Sequence, residues 1–419
     1  MNSKKSNLSK DFILMAIGQI VSLFGNQILR FALPLYLLHQ TGSSALFGTI
    51  SAVSFIPMVL LFPIGGIIAD RVNKRNIMVV LDFCTSALVF IFVLAANQFD
   101  IVPLIAATLL ILFAIQGAYQ PAVKASVPAL VDTEHLMLAN SVVDVISSLA
   151  SMLGPVIGGL MYTTIELSSI LYICLGCFFA SAVMEIFIRI PFQKKHTQDG
   201  MIAAGYHDLK ESFGYMFNQK TIIWKIAVIY GATSLLLSAL FVIALPVLIT
   251  QTMDFPEDTA NQLYGYAEGV IAIGSIVGGL LAGALSKKLR PRVLPYLIGG
   301  CALSILLGGI ALQVLHSPMA VYVVLVGGCC AFMVFSALFQ IQMMSYVQIL
   351  TPNDLIGKVT SCVICVCMCS APIGQFIYGV VFEHIGKYTY LPFYLSAAIV
   401  VGISVGTRRI FYELNNEIG

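Results

Sequence analysis

Long apolar stretches, separated by short polar segments, run along the whole chain. Twelve of them are long enough to cross the hydrocarbon core of a bilayer, which takes about 20 residues of helix. They cover residues 12–38, 45–69, 76–97, 101–123, 137–165, 168–189, 221–250, 261–286, 291–315, 318–349, 357–382 and 388–411. The pattern therefore predicts an all-α integral membrane protein with twelve transmembrane helices.

The positive charges follow the same pattern. Of the 22 Lys and Arg residues, all except Arg30 and Lys387 fall in alternate gaps between the apolar stretches, on what must be one side of the membrane. Cytoplasmic loops carry the excess of Lys and Arg, because positive segments resist translocation. An even number of spans places both termini on the same side, so we expect both termini in the cytoplasm.

Composition excludes several classes of protein. Hydrophobic residues make up 59% of the chain and charged residues 10%, whereas about 25% of the residues in soluble domains are charged. The chain has no basic domain of the kind that binds nucleic acid. It also has no Gly-x-x-x-x-Gly-Lys-Ser/Thr loop of the kind that binds ATP. The scattered histidines form no His-x-x-x-His pair. We therefore expect no catalytic residues and no cofactor, and an integral-membrane enzyme is the weakest alternative.

A cluster of cysteines lies in the eleventh apolar stretch. Cys362, Cys365 and Cys369 share a helix face at spacings of three and four residues, with Cys367 close by, which leaves a soft-metal site open. No His or acidic residue accompanies them, and small residues suit the helix interfaces of membrane proteins. We interpret them as packing residues and predict no metal site.

The chain reads as two copies of one plan, separated by the polar stretch 190–220. GGIIADRVNKR (65–75) is matched by GGLLAGALSKK (278–288), and GPVIG (154–158) by APIG (371–374), at nearly equal offsets. Two six-helix halves related by parallel repetition describe a major transporter architecture. We therefore predict an N-terminal half over 1–190, a cytoplasmic linker over 191–220 and a C-terminal half over 221–419.

Two motifs resemble signatures of the major facilitator superfamily. The signature between its second and third helices is matched by Gly66, Asp70, Arg71, Lys74 and Arg75, with Asn73 where glycine is usual. Its antiporter signature in the fifth helix, Gly-Pro-x-x-Gly-Gly, is met in full by Gly154, Pro155, Gly158 and Gly159. The stretch ALPLYLLHQTGSSALFG (32–48) resembles the drug:proton antiporter group that includes macrolide-efflux proteins.

The resemblance implies roles for both motifs. It places the Asp70 carboxylate against the N-terminus of the eleventh helix, near Gly357, where unpaired N–H groups and the helix dipole stabilise an anion. Lys74 and Arg75 would then complete an inner latch, although these charges could serve only as a topology anchor. The glycines of the second motif let another helix approach closely. They form either a seal between the halves or an ordinary packing face.

One residue departs from the family pattern. Many proton-coupled relatives carry an Arg in the fourth helix, in the pattern Arg-x-x-Gln-Gly. Here that stretch reads Phe113-Ala114-Ile115-Gln116-Gly117, so the position of the Arg is occupied by Phe113. Proton coupling therefore follows from the resemblance to the group, with that Arg missing.

Ionisable residues inside the apolar stretches are costly and are candidates for function. Arg30, Asp144 and Glu268 are expected to face a central cavity, where a carboxyl group could exchange a proton and Arg30 could attract an anionic group. A static pair between helices, or a side chain that reaches the interface, is the alternative. Polar side chains expected around the same cavity are those of Gln27, Gln116, Gln120 and Gln340.

Two further acids are assigned structural roles. Asp82 lies near the inner end of the third apolar stretch, where a structural role is expected. Glu185 stands four residues before Arg189, and an i,i+4 ion pair on the helix surface accounts for both residues. Neither acid is therefore included among the candidates for coupling.

These features predict a secondary transporter that works by alternating access. The expected activity is proton-coupled export of lipophilic drug-like compounds such as macrolides, from a multi-pass position in a bacterial cytoplasmic membrane. The partners are a small hydrophobic substrate, protons and the lipid bilayer, and we expect a monomer. The alternative within transport is a carrier for an endogenous metabolite such as a lysophospholipid or a siderophore.

Overall fold

The computed structural model describes residues 9–96, 98–132, 136–190, 214–285, 290–352 and 355–418. The regular structure in these ranges is helical throughout. The helices are α1 Lys10–Thr41, α2 Ser44–Arg71, α3 Lys74–Ala95, α4 Ile101–Leu130, α5 Leu136–Thr164, α6 Leu167–Ile186, α7 Thr221–Thr252, α8 Glu257–Leu285, α9 Leu294–Val314, α10 Pro318–Leu350, α11 Ile356–His384, α12 Leu391–Gly406 and α13 Arg408–Ile418. Two short turns, Tyr215–Gln219 and Pro291–Val293, precede α7 and α9.

Twelve candidate spans within the described residues have the length and hydropathy to cross a membrane. Large apolar side chains stand exposed on them, such as Leu60, Ile91 and Leu280, as expected of surfaces that face lipid. The predicted all-α membrane architecture is therefore confirmed. Most of the polar linker predicted over 191–220 lies outside the described residues.

Several helix ends differ from the prediction. The fourth helix continues to Leu130, beyond the predicted end at 123, and passes through Pro121 and Pro128. The last apolar stretch contains a break near Thr407, where α12 ends and the amphipathic α13 begins. Phe411 and Leu414 of α13 are fully buried, while Arg409 and Glu413 pair on its exposed face. The prediction from hydropathy therefore joined the membrane helix α12 to α13, an amphipathic helix that buries only one face.

The chain divides into two compact units. The first contains Met1–Gln40 and Val53–Gln198, and the second contains Thr41–Ala52 and Asp199–Gly419. The same helix pairs pack in both: α3 contacts α4 and α6, and six helices later α9 contacts α10 and α12. The repeat in the sequence thus corresponds to a repeat in packing.

The helix α7 is interrupted by two wider π-helical turns, Ser234–Ser238 and Leu248–Thr252. Such turns insert an extra residue into a helix and occur frequently at functional sites. The Leu236 carbonyl lies in the first of these turns, and it accepts a hydrogen bond from the Tyr378 hydroxyl of α11 at 2.8 Å. A side chain from the neighbouring helix therefore bonds to the backbone of the irregular turn.

The segment Thr41–Ala52 joins the second unit although its sequence lies in the first part of the chain. The Glu383 carboxylate, near the end of α11, accepts hydrogen bonds from the Ala45 N–H at 3.1 Å and from the Ser44 hydroxyl at 3.2 Å. The helices meet through glycines, since a Cβ on Gly48 would lie 2.9 Å from the Cα of Gly379. An acidic side chain thus caps the N-terminus of α2.

Candidate functional site

Arg30 is held between aromatic rings in the first unit. Its guanidinium carbon lies 4.1 Å from the centre of the Phe113 ring and 6.0 Å from that of Phe55. The two rings pack on each other with centroids 4.9 Å apart. No carboxylate among the described residues forms an ion pair with Arg30. The half-buried guanidinium therefore has aromatic faces but no carboxylate beside it in the part of the chain that the structure describes.

The glycines of the fifth helix pack against α1 beside Arg30. A Cβ on Gly154 would overlap the side chain of Gln27, and a Cβ on Gly158 would lie 3.2 Å from the Phe31 ring. The Gln27 amide also donates to the Ser151 hydroxyl of α5 at 2.8 Å. Glycine at position 154 thus sets how closely α5 approaches the candidate residues of α1. Gln116 and Gln120 are half-buried on α4.

A small cavity of mixed polarity lies inside the second unit. Gln340 links two of its walls, because its carbonyl accepts from the Tyr230 hydroxyl at 3.0 Å and its amide donates to the Ser336 hydroxyl at 2.9 Å. The lining side chains belong to α7, α9 and α10: Tyr230, Thr233, Ser234, Leu237, Ser238, Ile298, Cys301, Phe332, Ser336, Phe339 and Gln340. The first π-helical turn of α7 forms part of the cavity lining. The sequence pattern did not reveal this turn.

The two predicted membrane carboxylates differ in their surroundings. Glu268 of α8 is half-buried and bonds with Tyr264, one turn earlier on the same helix. Asp144 of α5 is exposed. Arg30 and Asp144 belong to the first unit and Glu268 to the second, so their convergence on one cavity stays a prediction.

The predicted inner latch is described only in part. Gly66, Asp70 and Arg71 lie in α2 and Gly357 lies in α11, but their side chains lie outside the described ones. Lys74 and Arg75 open α3 and are half-buried. Asn73, which stands where the family has glycine, caps α3 by accepting the Arg75 N–H at 3.1 Å. The function of the latch therefore stays a prediction.

The interpretation of Glu185 as a surface residue is wrong. Its side chain has no solvent exposure, and it accepts a hydrogen bond from the Tyr119 hydroxyl of α4 at 2.8 Å. Asp82 is also buried, at 2% exposure. The i,i+4 spacing to Arg189 was misleading because α6 ends at Ile186, before Arg189. Sequence periodicity could not identify this contact, since it joins residues 66 positions apart.

Comparisons with known proteins bear on the whole chain. A sequence model of the Major Facilitator Superfamily matches residues 15–375. The chain is 26% identical over 411 residues to macrolide efflux protein A of Streptococcus pyogenes, and the match covers 96% of each protein.

No group of three or more His, Cys, Asp or Glu side chains that could hold a metal ion occurs among the described residues.

Solved transporters share the fold. A bacterial homologue of the human lysosomal transporter Spinster, in an inward-facing and unoccupied conformation, has a TM-score of 0.73 at 11% identity, over 98% of this chain and 99% of that one. A D-xylose–proton symporter has a TM-score of 0.70 at 12% identity, over 94% of this chain and 95% of that one. At these identities the likeness concerns the fold alone.

Proposed function

The chain belongs to the major facilitator superfamily, and from that premise we propose that it exports lipophilic drug-like compounds such as macrolides in exchange for protons. It is a multi-pass membrane transporter and not an enzyme. We place it in a bacterial cytoplasmic membrane, as a monomer with both termini in the cytoplasm. The full-length similarity to macrolide efflux protein A supports the direction of transport and the class of substrate.

The observation that carries this proposal is the mixed lining of the cavity in the second unit. Phe332 and Phe339 supply apolar surface, while Tyr230, Ser336 and Gln340 supply a short row of hydrogen-bonding groups. Sites for small molecules combine a mostly apolar wall with a few placed polar groups. The cavity has room for about one water molecule in this structure, so a macrolide-type compound would reach these groups only after the walls move apart. Its apolar body and scattered oxygens match their chemistry better than a sugar, which needs many polar partners.

The proposal is tested by expressing the full chain in a bacterial strain that lacks its own drug pumps. The measured quantity is the accumulation of labelled erythromycin and of a lipophilic dye, with and without a protonophore. We expect lower accumulation in expressing cells and loss of that difference when the protonophore is added. Absence of export despite confirmed membrane expression would exclude drug export and favour a carrier of an endogenous lipid or siderophore.

A matched pair of variants tests the cavity. Gln340→Ala removes the amide that links Tyr230 to Ser336, and we expect the apparent affinity for erythromycin to fall about threefold to tenfold, the range for one lost hydrogen bond. Gln348→Ala on the same helix changes an exposed residue outside the cavity and serves as the control. Equal export by the two variants would remove Gln340 from the binding site.

A further inference from the structure

A buried cluster of polar side chains lies inside the first unit, where α1, α3, α4 and α6 meet. We refer to it as the acid cluster, and its members are Gln19, Ser22, Asp82, Tyr119, Ser181 and Glu185. Gln19, Asp82, Tyr119 and Glu185 have exposures between 0% and 3%. Tyr119 also belongs to an apolar core with Phe12, Met15, Met78 and Ile188. The cluster is therefore enclosed within protein.

Hydrogen bonds connect the cluster across helices. The Gln19 amide donates to the Tyr119 hydroxyl at 2.7 Å, and that hydroxyl donates to Glu185 Oε1 at 2.8 Å. The Ser22 hydroxyl donates to Asp82 Oδ1 at 2.9 Å. Ser181 lies beside the Asp82 carboxyl group and donates to the Gly18 carbonyl of α1 at 3.0 Å. Glu185 thus receives the Tyr119 hydroxyl on one oxygen, and Asp82 receives the Ser22 hydroxyl on Oδ1 with the Ser181 hydroxyl beside it.

Three buried oxygens of the cluster have no hydrogen-bond partner: Gln19 Oε1, Asp82 Oδ2 and Glu185 Oε2. All three accept hydrogen bonds when the acids are ionised, so the cluster lacks donors. No Lys or Arg among the described residues pairs with either acid. The titratable side chains that face the cluster are Asp82 from α3, Tyr119 from α4 and Glu185 from α6. The helix α1 supplies the Gln19 amide, the Ser22 hydroxyl and the Gly18 backbone carbonyl.

With both acids ionised, the acid cluster has more hydrogen-bond acceptors than donors. Two ionised carboxylates in one enclosed site repel each other, and each buried charge without a partner carries a large desolvation cost. A proton on either carboxyl group removes one charge and supplies the missing O–H donor. A metal cation would need several further oxygen ligands, which the cluster does not supply.

We propose that Asp82 and Glu185 form the proton-binding site of the transport cycle. This proposal rests on the proposed proton-coupled function. One proton from the outer solution binds as a carboxyl O–H on one of the two acids. The same proton is released to the cytoplasm when the transporter opens to that side. The net charge of the two acids then changes between −2 and −1 or between −1 and 0. No other bond forms or breaks.

The helices of the cluster also carry the candidate substrate residues. Gln19 and Ser22 share α1 with Gln27 and Arg30, and Tyr119 shares α4 with the Phe113 ring that contacts Arg30. Arg30 stands 11 residues beyond Gln19, about 16 Å along the helix at 1.5 Å per residue. A shift of α1 that accompanies proton binding would therefore move Arg30 as well. This gives the proton site a physical link to the substrate.

The test uses the full-length protein in liposomes with Asp82→Asn and Glu185→Gln. We expect both variants to lose erythromycin transport driven by a pH gradient and to keep erythromycin counterflow, which needs no proton gradient. The control is Glu166→Gln, an exposed acid at the start of the same helix as Glu185. Gradient-driven transport by both acid variants at the wild-type rate would overturn the proposal, and so would wild-type transport driven by a sodium gradient instead of a pH gradient.

A second measurement does not depend on which compound is transported. Infrared difference spectra at two pH values report the carbonyl band of protonated carboxyl groups, and the other acids of the chain contribute to that band as well. We expect part of the band that appears on acidification of the wild type to be missing from Asp82→Asn and Glu185→Gln but present in Glu166→Gln. A band that is equal in the wild type and all the variants would mean a structural pair that does not titrate. If the wild-type protein transports nothing, drug export fails while the spectra still decide whether the site binds a proton.

Discussion

The positive charge near the fourth helix comes from an unexpected residue. The family pattern places an Arg at position 113, where this chain has Phe113. The structure places the guanidinium of Arg30, from α1, over the face of that ring. A guanidinium is planar and always charged, and it stacks well on aromatic rings. The aromatic residue therefore does not remove the cation from this region, because it positions one that the neighbouring helix supplies.

Replacement of Phe113 tests this contact. Phe113→Leu keeps an apolar side chain but removes the ring, and Phe113→Tyr keeps the ring. We expect the leucine variant to be destabilised by about 0.5–2 kcal/mol, the range for a cation–π contact, and the tyrosine variant to resemble the wild type. Thermal unfolding of the purified protein in detergent measures the difference. Equal melting temperatures for the two variants would show that the ring face contributes nothing.

At the scale of helices, glycines decide which surfaces meet. Gly154 of α5 packs on Gln27 of α1, and Gly374 of α11 packs on the first π-helical turn of α7. The two contacts come from the two copies of the sequence repeat. Since a side chain at either position would meet the facing helix, the repeat preserves close helix approach and not only hydropathy.

Gly374→Ala tests the second of these contacts. A Cβ at this position would overlap the Leu235 carbonyl oxygen and press on Ala239. We expect a destabilisation of about 1–3 kcal/mol, which is typical of an overpacked core. Gly327→Ala on α10 is the matched control, because no atom lies within 4 Å of its added methyl group. Thermal unfolding that ranks Gly374→Ala as no less stable than Gly327→Ala would contradict the contact.

At the scale of the whole molecule, one short segment groups with a distant part of the chain. Thr41–Ala52 belongs to the second compact unit, and Glu383 caps it from more than 300 positions away in sequence. A carboxylate at a helix N-terminus is stabilised by the free N–H groups and by the helix dipole. The contact therefore combines a charge-assisted hydrogen bond with close packing of Gly48 on Gly379.

Glu383→Gln keeps the shape of this side chain and removes its charge. We expect faster hydrogen–deuterium exchange in the backbone of residues 43–48, because the cap loses about 0.3–1 kcal/mol of dipole interaction. Glu413→Gln removes an exposed acid from α13 of the same unit and should leave this segment unchanged. Mass spectrometry of peptic fragments measures the exchange. Identical exchange in both variants would mean that the charge does not stabilise the N-terminus of α2.

The sequence by itself determined the class of the protein and its transmembrane helices, while the bounds of the two halves stay a prediction. Bilayer thickness sets the length of an apolar helix, so twelve stretches predicted twelve spans. The motif residues identified the family. These inferences succeed because each depends on local composition or on spacing along one helix.

Only the tertiary structure decided which polar side chains meet. Glu185 and Arg189 had the spacing of a surface pair, but burial against Tyr119 and the end of α6 gave Glu185 a different environment. Only the structure shows that Asp82 is buried and that one of its carboxylate oxygens has no hydrogen-bond partner. Contacts between helices depend on their rotation and approach. Small residues such as Gly154 and Gly374 set both, and no periodicity within a single helix encodes them.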